Sequence, residues 1–102
     1  MRENAGSAAV RLRIRGRVQG VWYRGWMVEE ARSRDLTGWV RNRRDGSVEA
    51  LIVGREQALR EMIATCRRGP RAARVEDIEQ TPINDLDAGE RDLTGFKQRR
   101  TV

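Results

Sequence analysis

The hydrophobic period changes once, sharply, near the start of the chain. Val10, Leu12 and Ile14 alternate with Arg11, Arg13 and Arg15, the period of a strand with one buried face. Further on, Tyr23, Met27 and Ala31 recur every four residues with Trp26 beside them, the spacing of a helical stripe. Between the two lies G-R-V-Q-G, Gly16 to Gly20. A strand that passes through a glycine turn straight into a helix exposes the unpaired N–H groups of the helix start at one point. Those groups carry the positive end of the helix dipole. Arg24 falls in the first helical turn and adds a planar fork of donors suited to phosphate. The junction therefore predicts an anion cradle, and a phosphoryl group is its expected ligand.

The remaining pattern completes one domain. Residues 1–8 are small and polar and are expected to form a disordered extension, with the domain over 9–102. The first helix is predicted over Val21–Arg34 and a strand over Leu36–Asn42. Arg43-Arg44-Asp45-Gly46 reads as a hairpin turn, because Asp-Gly supports positive φ, and Ser47–Val53 as the returning strand. Over Arg55–Arg68, Leu59, Met62, Ile63 and Cys66 form a full apolar stripe ended by Gly69-Pro70. Ala73–Thr81 is predicted to be a strand, with a bulge needed to bring Val75 and Ile78 to one face. Asn84–Arg91 reads as a loop and Phe96–Arg100 as a weak last strand. The order β-α-β-β-α-β, with a short extra strand, implies an α+β sandwich of two helices packed on one face of an antiparallel sheet.

Composition excludes several chemistries. The chain has no histidine and one cysteine, Cys66, which sits on the apolar stripe and is expected in the core. A His/Cys metal site and a nucleophile–histidine pair are both ruled out. No metal and no cofactor are expected. No segment is long enough to span a membrane, and M-R-E-N-A-G-S-A-A-V lacks the apolar run of a secretory signal. The expected location is the cytoplasm, with no membrane partner. Twenty of the 21 basic residues are arginines, and they are scattered, so the net charge of +6 is read as a solvated basic surface.

Two long segments carry a family resemblance. Gly16 to Arg24, G-R-V-Q-G-V-W-Y-R, resembles the first signature of the acylphosphatases: G-x-V-Q-G-V, an aromatic pair, then arginine. Gly38 to Gly54, G-W-V-R-N-R-R-D-G-S-V-E-A-L-I-V-G, is similar to the second. The resemblance covers roughly residues 9–100. It implies the ferredoxin-like fold and metal-independent hydrolysis of acyl phosphates to a carboxylate and inorganic phosphate. It implies that Arg24 binds the phosphoryl group and that Asn42 orients the attacking water. It implies a phosphate cradle of Gly16, Arg17, Val18, Gln19, Gly20, Val21, Trp22 and Tyr23, with the N–H groups of Gly20 to Tyr23 nearest the phosphate. The implied partner is a small-molecule acyl phosphate, with inorganic phosphate or sulfate as competing anions and a monomer as the default state.

The chemistry agrees with that composition. A carboxylate, with a reference pKa of about 4, departs as an anion without a general acid. Phosphoryl transfer depends on positioning and charge stabilisation more than on covalent help. Val18, Val21, Tyr23, Trp26 and Trp39 are expected in the core, and Arg43 as an exposed turn charge. Two readings of Trp22 stay open: it packs in the core like the others, or it faces the site mouth and touches the acyl group. Three positions depart from the family pattern. Arg34 replaces an apolar residue, which predicts looser packing of the first helix. Asp35 replaces a glycine at a left-handed helix end, and Gln98 replaces an apolar residue in the last strand. The alternative reading is a non-catalytic module of the same fold that binds anions or nucleic acid. An RNA-binding sheet needs exposed aromatics on its central strands, and the first strand has none; nucleic acid is not the expected partner.

Overall fold

The computed structural model describes residues 7–86 and 93–102. The strand β1 (Ser7–Arg17) leads into helix α1 (Tyr23–Arg32). Strands β2 (Thr37–Asn42) and β3 (Val48–Arg55) form a hairpin, followed by helix α2 (Glu56–Arg68). Strand β4 (Arg74–Pro82) and the short β5 (Phe96–Gln98) complete the chain. Ser7 and Ala8, expected in the extension, belong to β1; residues 1–6 of that expectation lie outside the described part. So do residues 87–91 of the expected loop.

The sheet order is β4-β1-β3-β2-β5. The first four strands pair antiparallel, but β5 runs parallel to β2, with Gly38 opposite Phe96 and Val40 opposite Gln98. The sheet is thus mixed rather than wholly antiparallel. The cause is topological. The chain leaves β4 at one edge of the sheet and must reach the other edge, where the reversed direction matches that of β2.

The bulge expected in the fourth strand is present. Arg15 pairs with Asp77 and Gly16 with Val75, so Glu76 is the extra residue. The step puts Ile78 and Val75 against the same core. Gly16 is where β4 comes closest. A Cβ there would lie 2.2 Å from the Arg74 carbonyl oxygen, so only glycine fits.

Both helices cover one face of the sheet. Leu12, Ile14, Val40, Ala50 and Ile52 meet Met27 and Ala31 of α1 and Leu59, Met62 and Cys66 of α2 in one core. Val18 and Tyr23 join this core as expected, while Val21 and Trp26 are only half-buried against it. The left-handed helix end is at Asp35, with φ 57. Arg34 lies just past the end of α1. Its guanidinium donates to the Glu30 carboxylate at 2.8 Å and to Thr65 Oγ1 of α2 at 3.1 Å, so it joins the two helices.

Among the described residues no helix covers the other face of the sheet, which is closed by its own arginines. Trp39 is only 3% exposed, because the guanidiniums of Arg11, Arg41 and Arg99 lie over its ring at 4.6–5.7 Å. Glu49, 4% exposed, anchors this layer. Its carboxylate accepts from Arg41 Nε at 2.9 Å and Arg43 Nη1 at 3.0 Å, with Arg11 Nη1 at 3.6 Å. Arg43 is therefore half-buried and paired, not an exposed turn charge. Burial alone would raise the Glu49 carboxyl, but Arg41 and Arg43 outweigh it and hold the group below the usual carboxylate range.

A group depressed on folding contributes stability above its unfolded pKa, and loses it as pH falls through the folded value. Glu49→Gln should be less stable near pH 7 by roughly 1–3 kcal/mol, since three arginines lose their counter-charge. It should also lose less stability on acidification than the parent chain. Urea unfolding between pH 7 and pH 3 reads both. Parallel pH profiles for the two proteins would remove Glu49 as the acid-sensitive anchor.

Candidate active site

The cradle arises where β1 ends and cannot continue. After Arg17 the backbone turns at residues 18–22, with Gly20 at φ 74 and Trp22 at φ 66. Left-handed residues alternating with ordinary ones turn successive N–H groups toward one concave side, the geometry of an anion nest. Glycine adopts this form freely. Tryptophan does so at a cost of about 1–2 kcal/mol, held by its surroundings.

Trp22 is also the N-cap of α1, and no side chain caps the helix start. Among the described residues, no backbone acceptor takes the N–H groups of Gly20, Val21, Trp22 or Tyr23. The first turn of α1 has no acidic residue and carries Arg24 instead. A cation at a helix N-terminus opposes the dipole. The chain therefore concentrates positive potential at one place, and among the described residues no carboxylate pairs with Arg24.

A cavity of about 140 Å³ opens at this point. Val18, Gly20, Trp22 and Tyr23 line it from the cradle, and Arg24 and Gly25 from the first turn of α1. Asn42 enters from the end of β2 and Gln98 from β5. Arg24 and Asn42, 18 positions apart in sequence, thus face one space. Asn42 Oδ1 is buried and finds no hydrogen-bond partner among the described residues. A buried, unpartnered carbonyl oxygen is costly unless a ligand or water meets it.

Gln19 does not face this cavity. Its side-chain amide donates to the carbonyls of Arg43, at 2.7 Å, and Ser47, at 2.8 Å. It ties the cradle to the β2–β3 hairpin, and so to Asn42. The hairpin is closed by the N–H of Arg43 donating to the Ser47 carbonyl, and by Asp45 Oδ1 accepting from both the N–H and the hydroxyl of Ser47. The segment after β5 pins it from the other side. The N–H of Val102 donates to the Asn42 carbonyl at 3.2 Å, and that of Arg44 to the Val102 carbonyl at 2.9 Å.

Gly16 and Arg17 lie apart from the other expected cradle residues. Both belong to β1, opposite Val75 and Arg74, and neither lines the cavity. Val21 is likewise not in its wall; its backbone belongs to the turn while its side chain meets the core. Trp22 is 58% exposed at the rim. Its indole occupies the space over Gly25, where a Cβ would lie 2.3 Å from Nε1.

No side chain in the cavity is set up as a base. The Tyr23 hydroxyl donates to the Cys66 carbonyl at 2.6 Å, and burial keeps its pKa well above the ordinary value. Burial pushes the Cys66 thiol up to about 12. Both stay neutral at physiological pH. Among the described residues no group of three or more Asp, Glu or Cys could hold a metal ion, and no helix is long and apolar enough to cross a membrane. The arrangement can bind a phosphoryl dianion on amides and a guanidinium, and present a carboxamide oxygen beside it.

Known proteins share the sequence and the architecture. The acylphosphatase family model matches residues 10–97. An acylphosphatase of Rhodospirillum rubrum is 52% identical over 91 residues, covering 89% of this chain and 94% of that protein. The crystal structure of acylphosphatase from Bacillus subtilis superimposes with a TM-score of 0.83 at 36% identity, over 90% of this chain and 98% of that one. An acylphosphatase structure from Coxiella burnetii gives 0.84 at 25% identity, over 97% and 99%. On this match of sequence over nearly the whole length, together with the ferredoxin-like sandwich, the chain belongs to the acylphosphatase family and is an acylphosphatase in function.

Proposed function

We propose that Arg24, Asn42 and the amides of Gly20 to Tyr23 perform the hydrolysis of the carboxyl–phosphate bond. The observation that carries this assignment is the buried, unpartnered Oδ1 of Asn42 in the same cavity as Arg24 and the uncapped start of α1. The phosphoryl oxygens take the amides and the Arg24 guanidinium. Asn42 Oδ1 accepts from a water and holds it toward phosphorus. The water oxygen forms the new bond to phosphorus while the bond to the acyl oxygen breaks, and that oxygen leaves as carboxylate. The water's proton passes to a phosphoryl oxygen, since Tyr23 and Cys66 are both held neutral. Arg24 and the helix dipole stabilise the charge that spreads over the phosphoryl group.

The substrate is read as a small acyl phosphate, with inorganic phosphate and sulfate competing for the same amides. The protein acts as a monomer, and the cytoplasm suits its single free, buried cysteine. The one tryptophan on the open sheet face is covered by arginines, so that face lacks the stacking platform a nucleic-acid reader would use.

The test is hydrolysis of benzoyl phosphate with excess chelator present. Turnover should be unaffected by the chelator and competitively inhibited by inorganic phosphate. A folded sample without activity would sink the catalytic assignment.

A further inference from the structure

The last strand reads F-K-Q, Phe96 to Gln98, and its register fixes the face of each residue. Phe96 lies opposite Gly38 and Gln98 opposite Val40. Side chains two apart on a strand share a face. Phe96 is fully buried in the helix-covered core, and Val40 is in the same core. Gln98 therefore belongs to the helix side, under the first turn of α1, where the apolar pattern would continue. An amide there is a poor core residue, yet it leads into the cavity shared by Arg24, Asn42 and Trp22. No hydrogen bond within the protein occupies it among the described residues.

Burial separates the tasks of the two carboxamides. Asn42 Oδ1 is shielded from solvent, which suits a water held for in-line attack. Gln98 is exposed, at the edge strand of the sheet. With the phosphoryl oxygens taken by the cradle and Arg24, the part of a substrate that reaches an exposed rim is its acyl half. We infer that Gln98 selects the acyl group: its carboxamide favours acyl phosphates bearing a hydrogen-bonding substituent next to the acyl carbon over purely aliphatic ones. A carboxamide offers both a donor and an acceptor, so a hydroxyl or amide substituent can pair with it, whereas a methyl group gives it nothing to pair with. The inference rests on the catalytic assignment above, and concerns only which acyl group is preferred.

Hydroxyacetyl phosphate and propionyl phosphate differ by a hydroxyl in place of a methyl group and serve as a matched pair. The measured quantity is the ratio of their kcat/KM values, in the parent chain and in Gln98→Leu. Comparing the ratio between proteins cancels the substrates' intrinsic reactivities. One neutral hydrogen bond corresponds to a fall in the ratio of about three- to tenfold, borne mainly by hydroxyacetyl phosphate. Gln98→Ala, which adds no bulk, should lower the ratio in the same direction, and both variants should keep the parent's melting temperature to within a few degrees. An unchanged ratio overturns the inference, whether both rates fall together, as for a residue that holds water, or neither moves. Absence of any hydrolysis by the parent chain is a different result: it defeats the catalytic assignment itself, and the selectivity with it.

Discussion

Arg24→Ala is expected to lose about a hundredfold or more in kcat, equivalent to about 3 kcal/mol, while the protein folds as before. The two parts of this expectation come from one observation. Arg24 stands in the first turn of α1, beside amides that have no acceptor among the described residues and a first turn with no acidic residue. In the free protein this cation opposes the helix dipole, so its removal should leave stability unchanged or raise it by about 0.3–1 kcal/mol. In the transition state the same charge lies beside phosphoryl oxygens and its loss is felt in full. Inorganic phosphate should bind more weakly as well, because it uses the same guanidinium. Steady-state kinetics and urea unfolding on one preparation read both halves. An active variant, or one that loses activity only because it unfolds, would remove Arg24 from the mechanism. Lysine at this position restores charge but not the two-pronged geometry, and should recover only part of the rate.

Asn42→Ala should match the Arg24 variant in lost turnover, about a hundredfold or more, and differ from it in binding. Asn42 contributes its carboxamide to the water, not to the phosphoryl group. Its backbone does separate work: its carbonyl accepts from Val102, and its strand position opposite Val48 sets the end of the hairpin. Alanine keeps that backbone pairing. The inhibition constant for inorganic phosphate should therefore stay close to that of the parent chain while kcat falls. Asn42→Asp keeps the size and replaces the amide by a charge beside the incoming dianion, so phosphate binding should weaken there. A parallel rise in the phosphate inhibition constant for Asn42→Ala would move this residue from water positioning to phosphoryl binding. The pair of variants thus divides the site into a half that holds the anion and a half that holds the nucleophile.

Local pattern was enough to find the elements that position these two residues. The alternation of Val10, Leu12 and Ile14, the stripe of Leu59, Met62 and Cys66, and the Asp45-Gly46 turn each express a period or a φ requirement within a few residues. The need for a bulge followed from the spacing of Val75 and Ile78 alone, and it is present at Glu76. Features set by distant partners were not legible in the same way. Gly16 looks like the first residue of a turn, but it is a strand residue cleared for the backbone of β4, 58 positions away at Arg74. Arg43 looks like a turn charge because Glu49, its partner across the hairpin, faces the uncovered side of the sheet. Arg34 looks like a flaw in an apolar stripe until Thr65 of the second helix is beside it. The parallel direction of β5 depends on which edge the chain reaches after β4, which no local period encodes.

The cavity wall has a kinetic corollary. It is assembled from the β1–α1 turn, the end of β2 and β5, so one piece comes from the strand that follows all the other elements in chain order. That strand docks parallel on β2 over only three residues, Phe96 to Gln98, and so has little pairing to offset its loop entropy, whereas β4 pairs along nearly the whole of β1. A chain with β1 to β4 paired and both helices in place would have nearly the whole core and still lack the wall at Gln98 and the clamp on Asn42. Onset of turnover during refolding would therefore time the arrival of the final strand, and the enzyme would serve as its own clock for completion of the fold.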